Sequence, residues 1–336
     1  MRLTAAALIG ALAPAIGIVL AAACGGKAPK PAKDAATWKP EVREGYAVTP
    51  DSVRLYYRVV GDGPETVIVG AANYFQKSLD ALATPTRRLV LYDIRGRGQT
   101  DSVPPSKMGI AEFDASDIDV LRKEVGAEKV ALIGWSGGAL STFRYAAEHP
   151  DRVSALVLLT PVGPRWVPWW DEMRTNAASR ADTVASRALA ARIEAGEFKD
   201  DEVALCRESA RIGLKTNWVV SEQIHLAPDV CDSPNEVPSR YGDFVPRLLA
   251  KLGTYDYRAD FALVKARRLV IHGEFDNPPL GGSREWVAGQ PEARLLVVKG
   301  VGHWPHYEKP DETLAALKAF LDGAWPVGSD VVPAGK

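Results

Sequence analysis

Scarcity narrows the field first. The 336-residue chain holds three cysteines, too few for a disulfide scaffold. It holds five histidines, and none shares a metal-ligand spacing with cysteine. No charge of one sign dominates: 41 Lys and Arg stand against 42 Asp and Glu, a net charge of -1. Nucleic-acid binding normally shows as a basic excess, so no nucleic-acid partner is expected. There is no phosphate loop and no dinucleotide fingerprint. Gly96-Arg97-Gly98 lacks the third glycine and reads as a turn. The reading therefore calls for no cofactor and no metal. What is present is 46% hydrophobic and 25% charged residues, the balance of a globular core. The length suits one large domain with an insertion.

The one long uncharged run is Leu3 to Ala23, preceded by Arg2 and ending in Ala21-Ala22-Ala23-Cys24. A basic start, an apolar stretch and small residues before a cut describe an export signal at 1–23. Cysteine directly after the small residues resembles a bacterial lipoprotein signal, which implies lipidation of Cys24 and a membrane attachment through that lipid. Ala21 stands where such signals usually carry leucine. Two other readings use the same residues: plain secretion with the cut at the same bond, and a retained anchor, since such a run can span a bilayer. All three export the rest of the chain. Residues 24–43, rich in Pro, Ala and Lys, read as an extended tether.

From residue 44 short apolar runs alternate with helical patterns. Strands are predicted at Gly45–Thr49, Val53–Val60, Thr66–Val69, Arg88–Tyr92, Val130–Gly134, Ala155–Leu159, Arg268–His272 and Ala293–Val298. Helices are predicted at about 111–126, Gly137–His149, Ser283–Ala288 and Asp311–Leu321. The alternation predicts an α/β domain over 44–323, with a mainly parallel sheet covered on both faces. Residues about 161–266 break the rhythm, and a structureless loop of that length is improbable. They read as an inserted helical cap, carrying Trp166, Trp169, Trp170 and Trp218. Residues 324–336 are left as a tail.

Chemistry concentrates at Gly134-Trp135-Ser136-Gly137-Gly138. A serine on a strained strand-to-helix turn calls for glycine two before and two after, because neighbouring backbones crowd the turn. The turn exposes the hydroxyl and aims a helix N-terminus at it, which favours an oxyanion. A nucleophilic serine needs a base, and the base an orienting acid. His303, after two glycines past a predicted strand, is the candidate base. His149 reads as a helix end, His225 as a cap residue, His272 as a packed core histidine and His306 as a neighbour of His303 or a surface residue. His303-x-x-His306 with Glu308 opens a loop rather than a preformed cage, so it is not taken as a metal site. For the acid, Glu274 and Asp276 both follow a strand end, and the bland reading is two solvated loop acids.

Residues 44–323 resemble an α/β-hydrolase-fold protein. The resemblance rests on Tyr92-Asp93-Ile94-Arg95-Gly96-Arg97-Gly98-Gln99-Thr100-Asp101, Gly134-Trp135-Ser136-Gly137-Gly138, His272-Gly273-Glu274-Phe275-Asp276 and Gly302-His303-Trp304-Pro305. Within the family the chain looks most like the proline iminopeptidase and small-ester hydrolase branch, through weaker pieces such as Asn235-Glu236 and the Trp-rich stretch. The family pattern implies Asp276 rather than Glu274 as the acid, in the order Ser136, Asp276, His303. It implies Gly137 N–H as one oxyanion donor. The family's His-Gly after the third strand is here Val69-Gly70-Ala71-Ala72, so Ala72 N–H is taken as the second donor, with Ala71 the alternative. The implied activity is serine hydrolysis of an ester or amide in a small molecule or short peptide.

In the cap, export would permit a bridge between Cys206 and Cys231, closing a loop of about 25 residues worth roughly 3 kcal/mol. The other reading is two buried thiols. An aminopeptidase would need cap carboxylates for the substrate's amino group, and Glu208, Glu222 and Glu236 are candidates. An esterase or lactonase would need only a hydrophobic cleft. A third class, a binding protein that keeps the fold without the chemistry, commonly lacks a triad member; all three are present here.

Overall fold

A computed structural model describes residues 38–108, 111–241 and 252–335. The export signal and Cys24 lie outside the described residues. The strands are β1 (Val42–Val48), β2 (Arg54–Val60), β3 (Glu65–Gly70), β4 (Arg87–Tyr92), β5 (Val130–Trp135), β6 (Val153–Leu159), β7 (Arg267–Gly273) and β8 (Ala293–Val298). They form one sheet in the order β1-β2-β4-β3-β5-β6-β7-β8. β1 pairs antiparallel with β2, and β2 with β4. Every later pairing is parallel. The expected α/β architecture is the one observed.

The two-residue period of a strand splits its apolar residues between two cores. On β5, Val130 and Leu132 enter one hydrophobic cluster, Ala131 and Ile133 the other. On β6 the same split separates Leu156 and Leu158 from Val157 and Leu159. Helices cover both faces. α1 (Ala72–Phe75), α2 (Ala111–Glu124) and α3 (Gly138–Glu148) come before β6. α4 (Trp169–Arg180), α5 (Thr183–Glu194), α6 (Glu202–Asn217) and α7 (Pro238–Tyr241) belong to the insertion between β6 and β7. α8 (Leu280–Glu285), α9 (Pro305–Glu308) and α10 (Pro310–Leu321) complete the domain. Leu140 and Phe143 of α3 pack in the first core; Leu317 and Phe320 of α10 pack in the second.

The cap is helical as expected, and thinly packed. α4 has no buried residue, and among the described residues the cap's own cluster is small, formed by Leu189, Phe198 and Ile212. Asp182 and Asp201 cap α5 and α6 by accepting the N–H of Ala185 and Ala204 at 2.9 Å, the usual role of aspartate there. Cys206 on α6 is joined to Cys231 by a disulfide.

Two predicted boundaries move. The tether, taken to reach residue 43, stops sooner: β1 begins at Val42, and Trp38 packs against the second core. The stretch 324–336 is no free tail. Asp330 exchanges both backbone hydrogen bonds with Leu295 on β8, at 2.9 and 2.8 Å. Trp325 lies under the guanidinium groups of Arg267 and Arg294, at 4.3 and 4.8 Å. The physical reason is that β8 is the last strand of the sheet, and an open edge is commonly covered. Strand periodicity could not register a single bridge.

Candidate active site

β5 runs through Gly134 and Trp135 into Ser136, which has φ +54°, a conformation rare for a residue with a side chain. Its backbone is held on both sides: Ser136 N–H donates to Leu159 O at 3.0 Å, and Ser136 O accepts from Ala139 N–H at 3.2 Å. The close approach expected of the flanking glycines is real at Gly134. A Cβ there would lie 2.1 Å from Thr142 Oγ1, 2.8 Å from Gly138 O and 2.9 Å from Ala139 Cα. It is not the reason for Gly138, where an added Cβ would meet nothing within 4 Å. The crowding comes from α3 folding back over the strand that precedes it.

His303 and Asp276 are brought together from two loops. His303 Nδ1 lies 2.8 Å from Asp276 Oδ1, and the Asp276 side chain is fully buried. The loops meet backbone to backbone: a Cβ on Gly273 would fall 1.9 Å from Gly302 O, so only glycine fits. Asp276 Oδ1 also accepts the N–H of Asn277 at 2.7 Å. His303 N–H donates to Asn217 O at 2.8 Å, and its carbonyl accepts from Thr160 Oγ1 and Trp135 Nε1.

Glu308 fixes the same loop, and its role was not seen in the sequence. Its buried carboxylate accepts the N–H of Gly302 (2.9 Å), Trp304 (3.3 Å), Val219 (2.7 Å) and Val220 (2.9 Å). It thereby ties the His303 loop to the cap segment after α6. Glu274, the competing acid, instead pairs with Lys299 Nζ at 3.0 Å and Gly300 N–H at 2.9 Å.

The other histidines separate cleanly. His149 ends α3. His225 is exposed and bonded to Glu222 O. His272 is buried, with Nδ1 2.9 Å from Ser283 Oγ, and burial lowers its pKa. His306 corrects the surface reading. It is 1% exposed, stacked among Phe75, Trp135, Trp304 and Tyr307. Burial pushes its pKa down to about 3, so the ring is neutral. With His306 walled in by aromatics and Glu308 occupied by backbone, the two do not form a metal site with His303.

Ser136, Gly137 and His303 share the wall of a cavity of about 400 Å³ with Trp135, Trp170 and Trp304, a usual size for small-molecule sites. Gly70 and Ala71 lie on that wall. Ala72, the expected second donor, begins α1 and buries its side chain in the second core. Ala71 carries φ +65°. Strained non-glycine residues are thus placed on both β3 and β5 ends, facing one cavity, a pattern typical of functional sites.

The three cap acids fall elsewhere. Glu208 pairs with Arg192 and Arg211 at the surface. Glu222 is exposed. Glu236 is buried against the core: Arg97 Nε and Nη2 donate to it at 2.9 and 2.6 Å, Gly98 N–H at 3.0 Å and Asn73 Nδ2 at 2.8 Å. Asn235 beside it donates to Gly98 O and Thr100 O at 3.2 and 2.6 Å. The Asn235-Glu236 pair is therefore a clamp that docks the cap on the loop after β4. Behind that loop Asp93 accepts the N–H of Asn73 and Gln99, and burial raises its pKa to about 6.

One wall residue escaped the sequence reading altogether. Asp114 of α2 is 7% exposed and lines the cavity. Its signal was available: it stands four and seven residues before Ile118 and Leu121, on the buried stripe of the helix.

The model of a family described as alpha/beta hydrolase fold matches residues 68–310. Among curated proteins, a 2-hydroxy-6-oxononadienedioate/2-hydroxy-6-oxononatrienedioate hydrolase of Escherichia coli strain K12 is 26% identical over 289 residues, covering 80% of this chain and 91% of its own. Among solved structures, VinJ superposes with a TM-score of 0.64 at 18% identity, covering 83% of this chain and 98% of its own. A proline iminopeptidase of Mycobacterium smegmatis superposes with a TM-score of 0.56 at 20% identity, covering 84% and 98%. At such identities the two structures speak for the fold alone.

Proposed function

The chain belongs to the α/β-hydrolase fold family, and from that premise we propose that it is a serine hydrolase of small esters or amides. Ser136 is the nucleophile, His303 the general base and Asp276 the acid that orients it. The observation that carries this is the buried 2.8 Å contact from His303 Nδ1 to Asp276 Oδ1, on a histidine that shares a cavity wall with Ser136. A bonded Nδ1–H leaves Nε2 as the base.

In the proposed sequence Ser136 Oγ attacks a carbonyl carbon as His303 Nε2 takes its proton. The imidazolium, balanced by Asp276, returns that proton to the leaving group. Water then attacks the acyl-serine, with His303 again as base. The oxyanion donors we assign are Gly137 N–H, at the start of α3, and Ala71 N–H in place of Ala72, because Ala71 is the one on the wall. Removing one such donor typically costs about 10²–10³ in rate.

Within this class the reading favours an esterase, lactonase or amidase over an aminopeptidase that relies on cap carboxylates. Glu236 is spent on Arg97, and Glu208 and Glu222 stay at the surface. We further propose that the domain is exported and held at a membrane by lipid on Cys24. The Cys206–Cys231 bridge supports an oxidising compartment. The test pairs a short-chain aryl ester with a prolyl aryl amide, for wild type and Ser136→Ala. Turnover of the ester that disappears in the variant is expected. Prolyl amide turnover that is lost in Glu208→Gln or Glu222→Gln, with ester turnover kept, would overturn the choice of class.

A further inference from the structure

We propose that Asp114 is a specificity residue that anchors a protonated amine of the ligand at the inner wall of the cavity. Asp114 is the only carboxylate on a wall otherwise rich in tryptophan, leucine and isoleucine, among the described residues. Its partners are few. Ser141 Oγ donates to Oδ2 at a long 3.3 Å. Oδ1 is sealed from solvent and has no hydrogen-bond partner. A half-turn about Cβ–Cγ exchanges the two oxygens, so one acceptor is always unspent. Leaving it so is costly, and a ligand in the cavity reaches it only if the side chain turns toward the cavity.

Charge balance points to the sign of that ligand. The groups around Asp114 are Tyr92 from β4, Arg95 from the following loop, Asp117 from α2 itself and Ser141 from α3. Arg95 is committed to others: its Nε and Nη2 donate to Asp117 at 2.6 and 2.7 Å, and Nη1 and Nη2 to Asp51 at 2.8 and 3.0 Å. Lys107 also pairs with Asp51, at 3.0 Å. Two cations thus meet two carboxylates. Arg97, the cation on the wall itself, meets Glu236. Asp114 is the odd carboxyl, and burial together with the Asp117 charge raises its pKa to about 7. An ammonium group supplies the missing counter-ion, and Tyr92 and Trp170 line the same cavity with rings that suit a cation.

The inference deepens the proposed function by taking this cavity as the ligand site, and it can be tested without turnover. Calorimetry on the full-length protein would compare n-hexylammonium with n-hexanol. Ammonium binding on the order of tenfold to 100-fold tighter is expected for wild type and for Ser136→Ala, falling to near parity in Asp114→Asn. At pH 6 ammonium binding should also release close to one proton, as Asp114 ionises to meet it; hexanol should release none. This second measurement needs no variant, so it stands even if Asp114→Asn fails to fold. Equal affinities, a preference that survives in Asp114→Asn, or no proton release would overturn the assignment. Preferred binding of hexanol would mean that a neutral carboxyl reads an uncharged polar group instead. Absence of ester turnover with the ammonium preference intact would instead strike only at the catalytic reading.

Discussion

Replacing Gly134 by alanine isolates one physical cause of the elbow. The new methyl would sit 2.1 Å from Thr142 Oγ1 and within 3 Å of two backbone atoms of α3, Gly138 O and Ala139 Cα. A side-chain hydroxyl can rotate; the first turn of a helix cannot yield without moving Ser136 or Gly137. Overpacking of a tight core costs typically about 1–3 kcal/mol, and the backbone contacts place this case near the upper end. For a domain of this size a loss of about 3 kcal/mol corresponds to a drop of roughly 5 °C in Tm. Gly134→Ala with Thr142→Ala would recover only part of it, since the backbone contacts remain. Gly138→Ala is the internal control. Its methyl meets open space, and alanine restricts the unfolded chain, so a change between zero and about +1 kcal/mol is expected. Thermal and urea unfolding of the four proteins would measure this. A Gly134→Ala protein as stable as wild type, or a Gly138→Ala protein equally damaged, would refute the crowding argument.

The remaining expectations rest on charge and cross-linking. Glu236→Gln should destabilise by about 3–5 kcal/mol, because it strands a buried guanidinium, while Arg97→Met with Glu236→Leu should recover most of that loss in a double-mutant cycle. His306, with its folded pKa depressed to about 3, binds its proton only when unfolded between pH 3 and 6.5. Stability should therefore fall as pH drops through that window, by about 3 kcal/mol at pH 4 for this group; His306→Phe should flatten the acid limb of a pH–unfolding profile. Cys206→Ser with Cys231→Ser should cost roughly 3 kcal/mol for opening a loop of 25 residues, read by urea unfolding against the oxidised wild type.

The fold was legible because its strands are apolar on both faces and its motifs fall where strands end. The β5 run and the two glycines before His303 marked the candidate site from sequence alone. Asp276 was separable from Glu274 only by resemblance, since both come after β7 in the same loop; the structure separates them by giving Glu274 to Lys299 and Asp276 to His303. What stayed hidden depends on contacts far apart in the chain. Glu236 looks like any solvated cap acid until Arg97, 139 residues earlier, closes on it. Glu308 looks like a helix-surface acid until four backbone N–H groups converge on it. Ala71 and Ala72 differ by one step in a turn, and a turn's exact course is set by the φ of +65° at Ala71, which alanine gives no hint of.

The central claim is that Ser136 is an activated nucleophile. Its most direct test is reaction of the purified, folded protein with a fluorophosphonate probe, then peptide mapping. One adduct per chain is expected on Ser136, absent from Ser136→Ala and strongly slowed in His303→Ala. A folded wild type that stays unlabelled, or carries the adduct on another residue, would contradict it.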